Sequence, residues 1–277
     1  MEKWIEQKQS HKQLSAAAAS SYDEIYENSN HATGMYMRYE ENLIKEAIQI
    51  VSDRKIAAVL GSGTGRESFM LASHFEKVFG LDFSPEMTSQ AQANQKEKAF
   101  TNCHFMTLDV EHDPLPFADQ SVDFINSAFG MGSFVLNPAS FFLEIKRVLK
   151  PGGRVIFSFY NSQAFINQLE LGWVPAISSR LNHKEETLDV DYNGITYKIP
   201  VVPYSVPEIR VELERFFDIK AITTFPSISS IFPQHLFENE RVRKLCLEAD
   251  LLLADNLELA GGPFIIATVA QKIGHSF

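Results

Sequence analysis

The sequence predicts an α/β fold: a doubly wound, mostly parallel seven-stranded sheet with helices on both faces and an antiparallel last strand. Three observations predict it. Between about Lys55 and Tyr160, short β-type runs alternate with helically spaced segments, the pattern of parallel strands joined by crossover helices. The first run feeds the glycine-rich stretch "VLGSGTGRES", Val59 to Ser68, a strand-to-helix turn of the kind that approaches a nucleotide-like ligand. Two further strand candidates close the chain, and the break at Gly261-Gly262-Pro263 lets the last return antiparallel, with its place expected at the sheet edge.

In chain order, Tyr22 to Ile50 reads as one or two helices, with "EENLIKEAIQIV" amphipathic. Residues 1–50 are therefore expected to form an N-terminal helical lid ahead of the main domain at 51–277. The five strands of the alternating region are "KIAAVLG", "KVFGLDF", "CHFMTLDV", "VDFINSAF" and "GRVIFSFY". Between them lie the helical segments "RESFMLASHF", "SPEMTSQAQANQKEKA" and "NPASFFLEIKRVLK", the second opened by the helix-start pair Ser84-Pro85. Lys150-Pro151-Gly152-Gly153 reads as a helix stop and turn. Residues 161–205 interrupt the alternation before the helix "VPEIRVELERFF". This insertion is expected to cap the strand ends where ligands bind in such sheets. "FDIKAITTFP" and "GPFIIATVAQK" supply the sixth and seventh strands.

Bulk properties exclude several classes of function. The formal net charge is −10, and no lysine- or arginine-rich run is present to neutralise phosphates, which disfavours nucleic acid as a partner. Cys103 and Cys246 are too few and too far apart for a disulfide framework or a zinc site, so no metal is expected and a reducing, cytoplasmic setting fits. The first thirty residues lack the apolar centre of a signal peptide, and no run reaches membrane-spanning length. The 22 phenylalanines point to an aromatic-rich interior.

The glycine loop discriminates among nucleotide cofactors. The dinucleotide fingerprint G-x-G-x-x-G needs a third glycine for close helix packing, whereas Gly61, Gly63 and Gly65 follow G-x-G-x-G and Arg66 stands at the diagnostic place. A phosphate-binding P-loop fails too, because no Gly-Lys-Ser/Thr follows. Asp82, at the end of the second strand and about twenty residues on, stands where a carboxylate accepts from both ribose hydroxyls. Asp109 and Val110, after the third strand, reach the same sheet edge, where a carboxylate can accept from an adenine amino group beside an apolar wall.

With "VLGSGTGRE", "VFGLDFSPEM", "LDVEHDPLPFADQSVDFI" and "EIKRVLKPGGRVIFSFYN" in that order, the chain resembles the class I S-adenosylmethionine-dependent methyltransferases, whose fold is Rossmann-like. The resemblance covers Tyr22 to Tyr160 well and the remainder in outline. It implies S-adenosylmethionine as cofactor, with Gly61, Ser62, Gly63 and Gly65 at its methionine part and Asp82 at the ribose. Phe83 and Met87 would flank adenine, Asp109 and Val110 would meet its edge, and Asn126 would lie near the sulfonium. One position departs from the family: an acidic residue commonly stands two places before the first glycine, and here it is Val59. An N-terminal residue or water must then replace that polar contact, with Tyr22 and Arg38 as candidates. Each polar residue also has a local use, Asp82 as a turn cap and Asp109 as a strand-end turn residue. Asp123 in "SVDFI" reads as structural.

The reaction so implied draws its activation from the cofactor, leaving the protein to orient, exclude water and in some cases supply a base. His31, His183 and His235 are the base candidates. The fourth strand is followed by "NSAFGMGSFVLNP", without the prolines carried by base-amino methyltransferases. Phe129, Met131, Phe134 and Tyr160 are candidates for an apolar acceptor pocket. The expected function is methyl transfer to a small-molecule acceptor. Methylation of a protein or tRNA is the alternative acceptor class. Arg66 weighs against a nucleotide-cofactor oxidoreductase, and the retained glycines with Asp82 against a non-catalytic binding module.

Overall fold

The computed structural model describes residues 2–27, 30–169, 171, 175 and 180–272; the remainder of the 161–205 insertion lies outside the described residues. Three helices come first, α1 (Glu2–Ala18), α2 (Tyr22–Glu27) and α3 (His31–Ile50). The alternating region follows as β1 (Ile56–Leu60), α4 (Arg66–Ala72), β2 (Lys77–Asp82), α5 (Pro85–Glu97), β3 (Cys103–Thr107), β4 (Val122–Ser127), α6 (Pro138–Val148) and β5 (Leu149–Tyr160). The short α7 (Phe165–Gln168) leads to β6 (Arg180–Asn182), β7 (Thr187–Tyr192) and β8 (Ile195–Pro200). The chain ends with α8 (Val206–Glu214), β9 (Phe217–Phe225), α9 (Glu240–Ala254) and β10 (Phe264–Gln271).

Seven strands form the main sheet in the order β3-β2-β1-β4-β5-β10-β9. β1 to β5 are parallel, and β10 runs antiparallel to both of its neighbours. The edge position expected for the last strand is therefore corrected: β10 inserts between β5 and β9. All eight residues of β10 but Thr268 are buried, and an apolar run of this kind suits a strand covered on both faces rather than an edge. Pro151-Gly152-Gly153 likewise does not form a separate turn. It falls inside β5, at an irregularity in its pairing with β4.

Period-two alternation divides the core. Leu60, Leu81, Ile125, Phe157 and Phe159 pack on one face with α6 and α8, whereas Val59, Phe124, Ile156 and Tyr160 pack on the other with Met35, Tyr36 and Ile44 of α3. The aromatic content is spent largely here. Phe141, Phe142, Phe157, Phe159, Phe216 and Phe217 form one mutually contacting set, adding edge-to-face attraction to area burial. Helix starts follow local chemistry, with Ser84, Asn137 and Ser205 accepting from first-turn amides and proline in the first turn of α5, α6 and α8.

Asp123 is structural. Its buried carboxylate accepts from the Lys55 and Ile56 amides at 3.1 and 2.8 Å and from Lys150 Nζ at 2.5 Å, tying the start of β1 to β4 and β5. Asp123→Ala leaves two amides and an ammonium without their acceptor and is expected to cost about 3 kcal/mol. Urea unfolding checks this, and a loss below about 1 kcal/mol contradicts it.

α1 falls within the helical lid expected over residues 1–50, although it carries no apolar stripe at helical spacing. Two other elements were not expected. A second, three-stranded antiparallel sheet, β6-β7-β8, lies within the 161–205 insertion. α9 lies between the sixth and seventh strands. The β7–β8 turn did have a signal: Asn193 and Gly194 both take positive φ, 49° and 78°, the geometry of a tight hairpin turn favoured by Asn-Gly.

Candidate functional site

The parallel strands deliver the chain's polar residues to one edge. Gly61 follows β1, Asp82 ends β2, Asp109 follows β3, Ala128 follows β4 and Tyr160 ends β5. β1 and β4 are neighbours although the chain reverses its direction across the sheet there, and such a switch point leaves a crevice beyond the strand ends. Two cavities of about 220 Å³ each occupy it, sharing Tyr22, Gly61, Gly63, Ala128 and Phe129.

The glycine loop is held from beneath. The Gly61 and Ser62 amides donate to the Leu81 carbonyl at 2.8 and 3.0 Å. Gly61, at φ 72°, presents its Cα where a side chain would strike Met131 Cγ at 2.7 Å, so only glycine suits it. The Gly63 amide donates to Asp82 Oδ2 at 2.8 Å and the Ser84 amide to Oδ1 at 2.9 Å. Asp82 thus joins the loop to the next turn while its other lone pairs stay available to a ligand. Burial pushes its carboxyl up to about 6, and the two amides oppose that rise.

The first cavity is lined by Asp82, Phe83, Met87, Asp109 and Val110 on one side. Phe129, Met131, Phe134 and Tyr160 lie on the other, joined by Leu188, Val190 and Ile199 from β7 and β8. Ser62 lines the second cavity with Val59. Tyr22 lines both, its ring 3.5 Å from where a Cβ on Gly63 would lie.

Two expected cofactor residues, Gly65 and Asn126, line neither cavity. Gly65 takes φ 99° at the start of α4, where a side chain would strike Phe69 and Phe105 at 2.8 Å, so it serves helix packing. Asn126 is wholly buried on the same face as Phe124, between Val59 and Ile156. Its amide group finds no partner among the described residues. Arg38 is exposed in a separate hollow with His31 and Arg243. Of the base candidates, His183 and His235 are exposed, and His31 stacks on Phe237 in that hollow.

The imidazole that does line the first cavity is His11 of α1, which the sequence did not single out. Its ring lies 4.8 Å from both Phe83 and Phe134. Burial, with Lys8 nearby, pushes its pKa down to about 4, so it is neutral at physiological pH. Lys8, one turn earlier, donates to Asp109 Oδ2 at 3.1 Å and Glu111 Oε2 at 2.7 Å. Asp109, Glu111 and His112 gather like a set of metal ligands, and the Lys8 ammonium sits among them. This pair docks α1 over the crevice.

A buried network fixes the loop after β4. Glu40 Oε1 accepts from Tyr36 Oη at 2.5 Å and from the Phe129 amide at 3.1 Å. Ser158 Oγ lies 2.6 Å from Tyr36 Oη and accepts from the Gly130 amide at 2.9 Å. These bonds support Phe129 at φ 54°, a left-handed conformation that costs a non-glycine residue energy.

Comparison with known proteins agrees with this geometry. Residues 59–157 match the family described as a methyltransferase domain. A malonyl-[acyl-carrier protein] O-methyltransferase of Marinomonas sp. (strain MWYL1) is 30% identical over 114 residues, 41% of each chain. A demethylmenaquinone methyltransferase of Tropheryma whipplei (strain Twist) is 35% identical over 157 residues, 56% of this chain and 63% of that one. The chain thus spans less than two thirds of the length of these curated relatives. Among solved structures, the methyltransferase bound to the Trm112 activator of Haloferax volcanii superposes with a TM-score of 0.59 at 19% identity, over 93% of this chain and 97% of that one. The DhpI–SAH complex gives 0.58 at 16% identity over 96% and 97%, and the [4+2]-cyclase SpnF 0.51 at 18% over 84% and 82%. At these identities the likeness is one of fold.

Proposed function

We propose that this chain is a class I S-adenosylmethionine-dependent methyltransferase, with S-adenosylmethionine as its cofactor, and that it methylates an apolar small molecule held beside the glycine loop. The observation that carries the proposal is the continuity of the first cavity, from the ribose-competent carboxylate of Asp82 to the apolar wall of Phe129, Met131, Tyr160 and Ile199. The curated relatives named for demethylmenaquinone and a malonyl thioester carrier support a metabolite acceptor.

The residues fit the cofactor. Gly61 and Gly63 give a backbone approach that side chains would close, Asp82 keeps acceptor lone pairs for two hydroxyls, and Phe83, Met87 and Val110 offer an apolar slot for a base. When bound, the cofactor supplies a sulfonium-activated methyl group for in-line displacement. The protein's part is to align and to exclude water. In this reading residues 1–50 serve as the lid, through α1, and 161–205 as the cap, through β7 and β8. His11, neutral because it is buried, contributes an aromatic wall without setting a second positive charge beside the sulfonium. Its low pKa makes it a poor base near neutrality, which suits an acceptor that ionises without one.

The test is transfer of radiolabelled methyl from S-adenosylmethionine to a reduced 1,4-naphthoquinone, with malonate monomethyl ester as a polar comparison. Label in the apolar product, lost in Ile199→Asp, is expected. Label in the polar acceptor alone overturns the proposal. Direct measurement of transfer is required because the same fold also carries a cyclase.

A further inference from the structure

The second cavity raises a problem of charge. Val59 stands where the family commonly places an acid, and its side chain is buried among Met35, Tyr36 and Phe69, so β1 offers nothing to a cationic group. An amino-acid moiety carries an α-ammonium that must still be paired when it leaves water. Two carboxylates line this cavity, Asp23 and Glu67.

Asp23 is committed. Its Oδ1 accepts from the Thr64 hydroxyl at 2.5 Å and its Oδ2 from the Asn94 amide at 2.9 Å, bonds that clamp α2 to the loop. Glu40, nearby, does not line the cavity and is already engaged by Tyr36 and the Phe129 amide. Glu67 differs from both. It is the second residue of α4, its side chain is 13% exposed, and Oε1 pairs with the Arg66 guanidinium. Oε2 accepts no hydrogen bond from the described residues. The other charged groups facing the cavity are Arg66 and Lys98, both cations.

We propose that Glu67 replaces the missing strand acid and binds the α-ammonium of S-adenosylmethionine. The assignment rests on the cofactor reading above. A carboxylate beside a guanidinium complements an α-amino acid zwitterion, and Glu67 can keep Arg66 on Oε1 while Oε2 takes the ammonium. The residue is thus a cofactor-binding group, at a position the family pattern does not mark.

The test compares two ligands by calorimetry on the full chain: S-adenosylhomocysteine, and 5′-deoxy-5′-methylthioadenosine, which keeps the nucleoside but has no amino-acid part. Glu67→Gln is expected to weaken S-adenosylhomocysteine by roughly tenfold or more, the effect of one charge-assisted bond, and to leave methylthioadenosine unchanged. Glu67→Asp should retain part of the affinity. Unchanged methylthioadenosine binding also certifies that the variant is folded. If Glu67→Gln affects neither ligand, or both equally, the assignment is overturned while the cofactor reading stands. If the wild type binds neither ligand, the cofactor reading falls and the assignment with it.

Discussion

Asp82→Ala should weaken S-adenosylhomocysteine binding by at least about a hundredfold. Two charge-assisted hydrogen bonds to the ribose are lost, each worth about 1.5 to 3 kcal/mol, and so is the acceptor that holds the Gly63 amide at 2.8 Å. Unlike Glu67→Gln, this change should weaken methylthioadenosine as well, because the ribose is common to both ligands. The same carboxylate predicts a pH dependence. Burial raises its pKa to about 6, and only the ionised form accepts from both hydroxyls. Affinity should therefore fall as pH drops through about 6, approaching about tenfold per pH unit below it. Calorimetry from pH 5 to 8 checks this, and an affinity flat across that range would contradict it.

Glu40→Gln should change the pH dependence of stability. Burial raises the Glu40 carboxyl from an ordinary 4.5 to about 7. Below about 4.5 both folded and unfolded chains hold the proton, and the contribution is fully present. Between 4.5 and 7 the unfolded chain ionises while the folded one keeps its proton, so stability falls as pH rises. Above about 7 both are ionised and the loss is complete. The change is on the order of 2 to 3 kcal/mol. Asp82 contributes a slope of the same sign in both proteins, so the difference between wild type and Glu40→Gln isolates Glu40. Urea unfolding at pH 5 and 7.5 is expected to show a steeper loss in the wild type. Parallel losses would mean that Glu40 is ionised throughout. In either case the site is affected through Phe129, whose amide this side chain accepts.

The two variants also mark different levels of legibility. Asp82 could be read from the chain because its role is local: a strand end, a fixed distance from a glycine turn, at an edge that parallel strands must share. Asp123 was legible for a similar reason, as a polar residue entering an apolar strand. Glu40 was not, because its meaning depends on Tyr36, Ser158 and the Phe129 amide, and the last two stand 118 and 89 residues away in the chain. Nothing in the spacing of "RYEENL" distinguishes the buried Glu40 from its half-buried neighbour Glu41.

Asn126 and His11 show the same limit from opposite sides. Asn126 lies next to last in β4 at a position that suggested the sulfonium side, yet its side chain is wholly buried and lines neither cavity. His11 sits in a helix with no apolar stripe, and its place in the cavity follows from Lys8 reaching Asp109 and Glu111 more than one hundred residues away. The insertion behaves likewise: Asn193-Gly194 encodes a hairpin, but only packing brings Leu188, Val190 and Ile199 of that hairpin to the apolar wall.

By itself, then, the sequence determined the parallel sheet, the glycine turn and the carboxylate at the end of β2, and carried the resemblance to the S-adenosylmethionine-dependent methyltransferases, because strand period, turn chemistry and short spacing are local properties of a chain. Tertiary structure alone decided that β10 lies inside the sheet, that His11 of α1 lines the crevice, and that Glu67 lines the second cavity beside Val59. Each depends on long-range contacts whose energy comes from burial and charge pairing between segments far apart in the chain, and no local pattern carries that information.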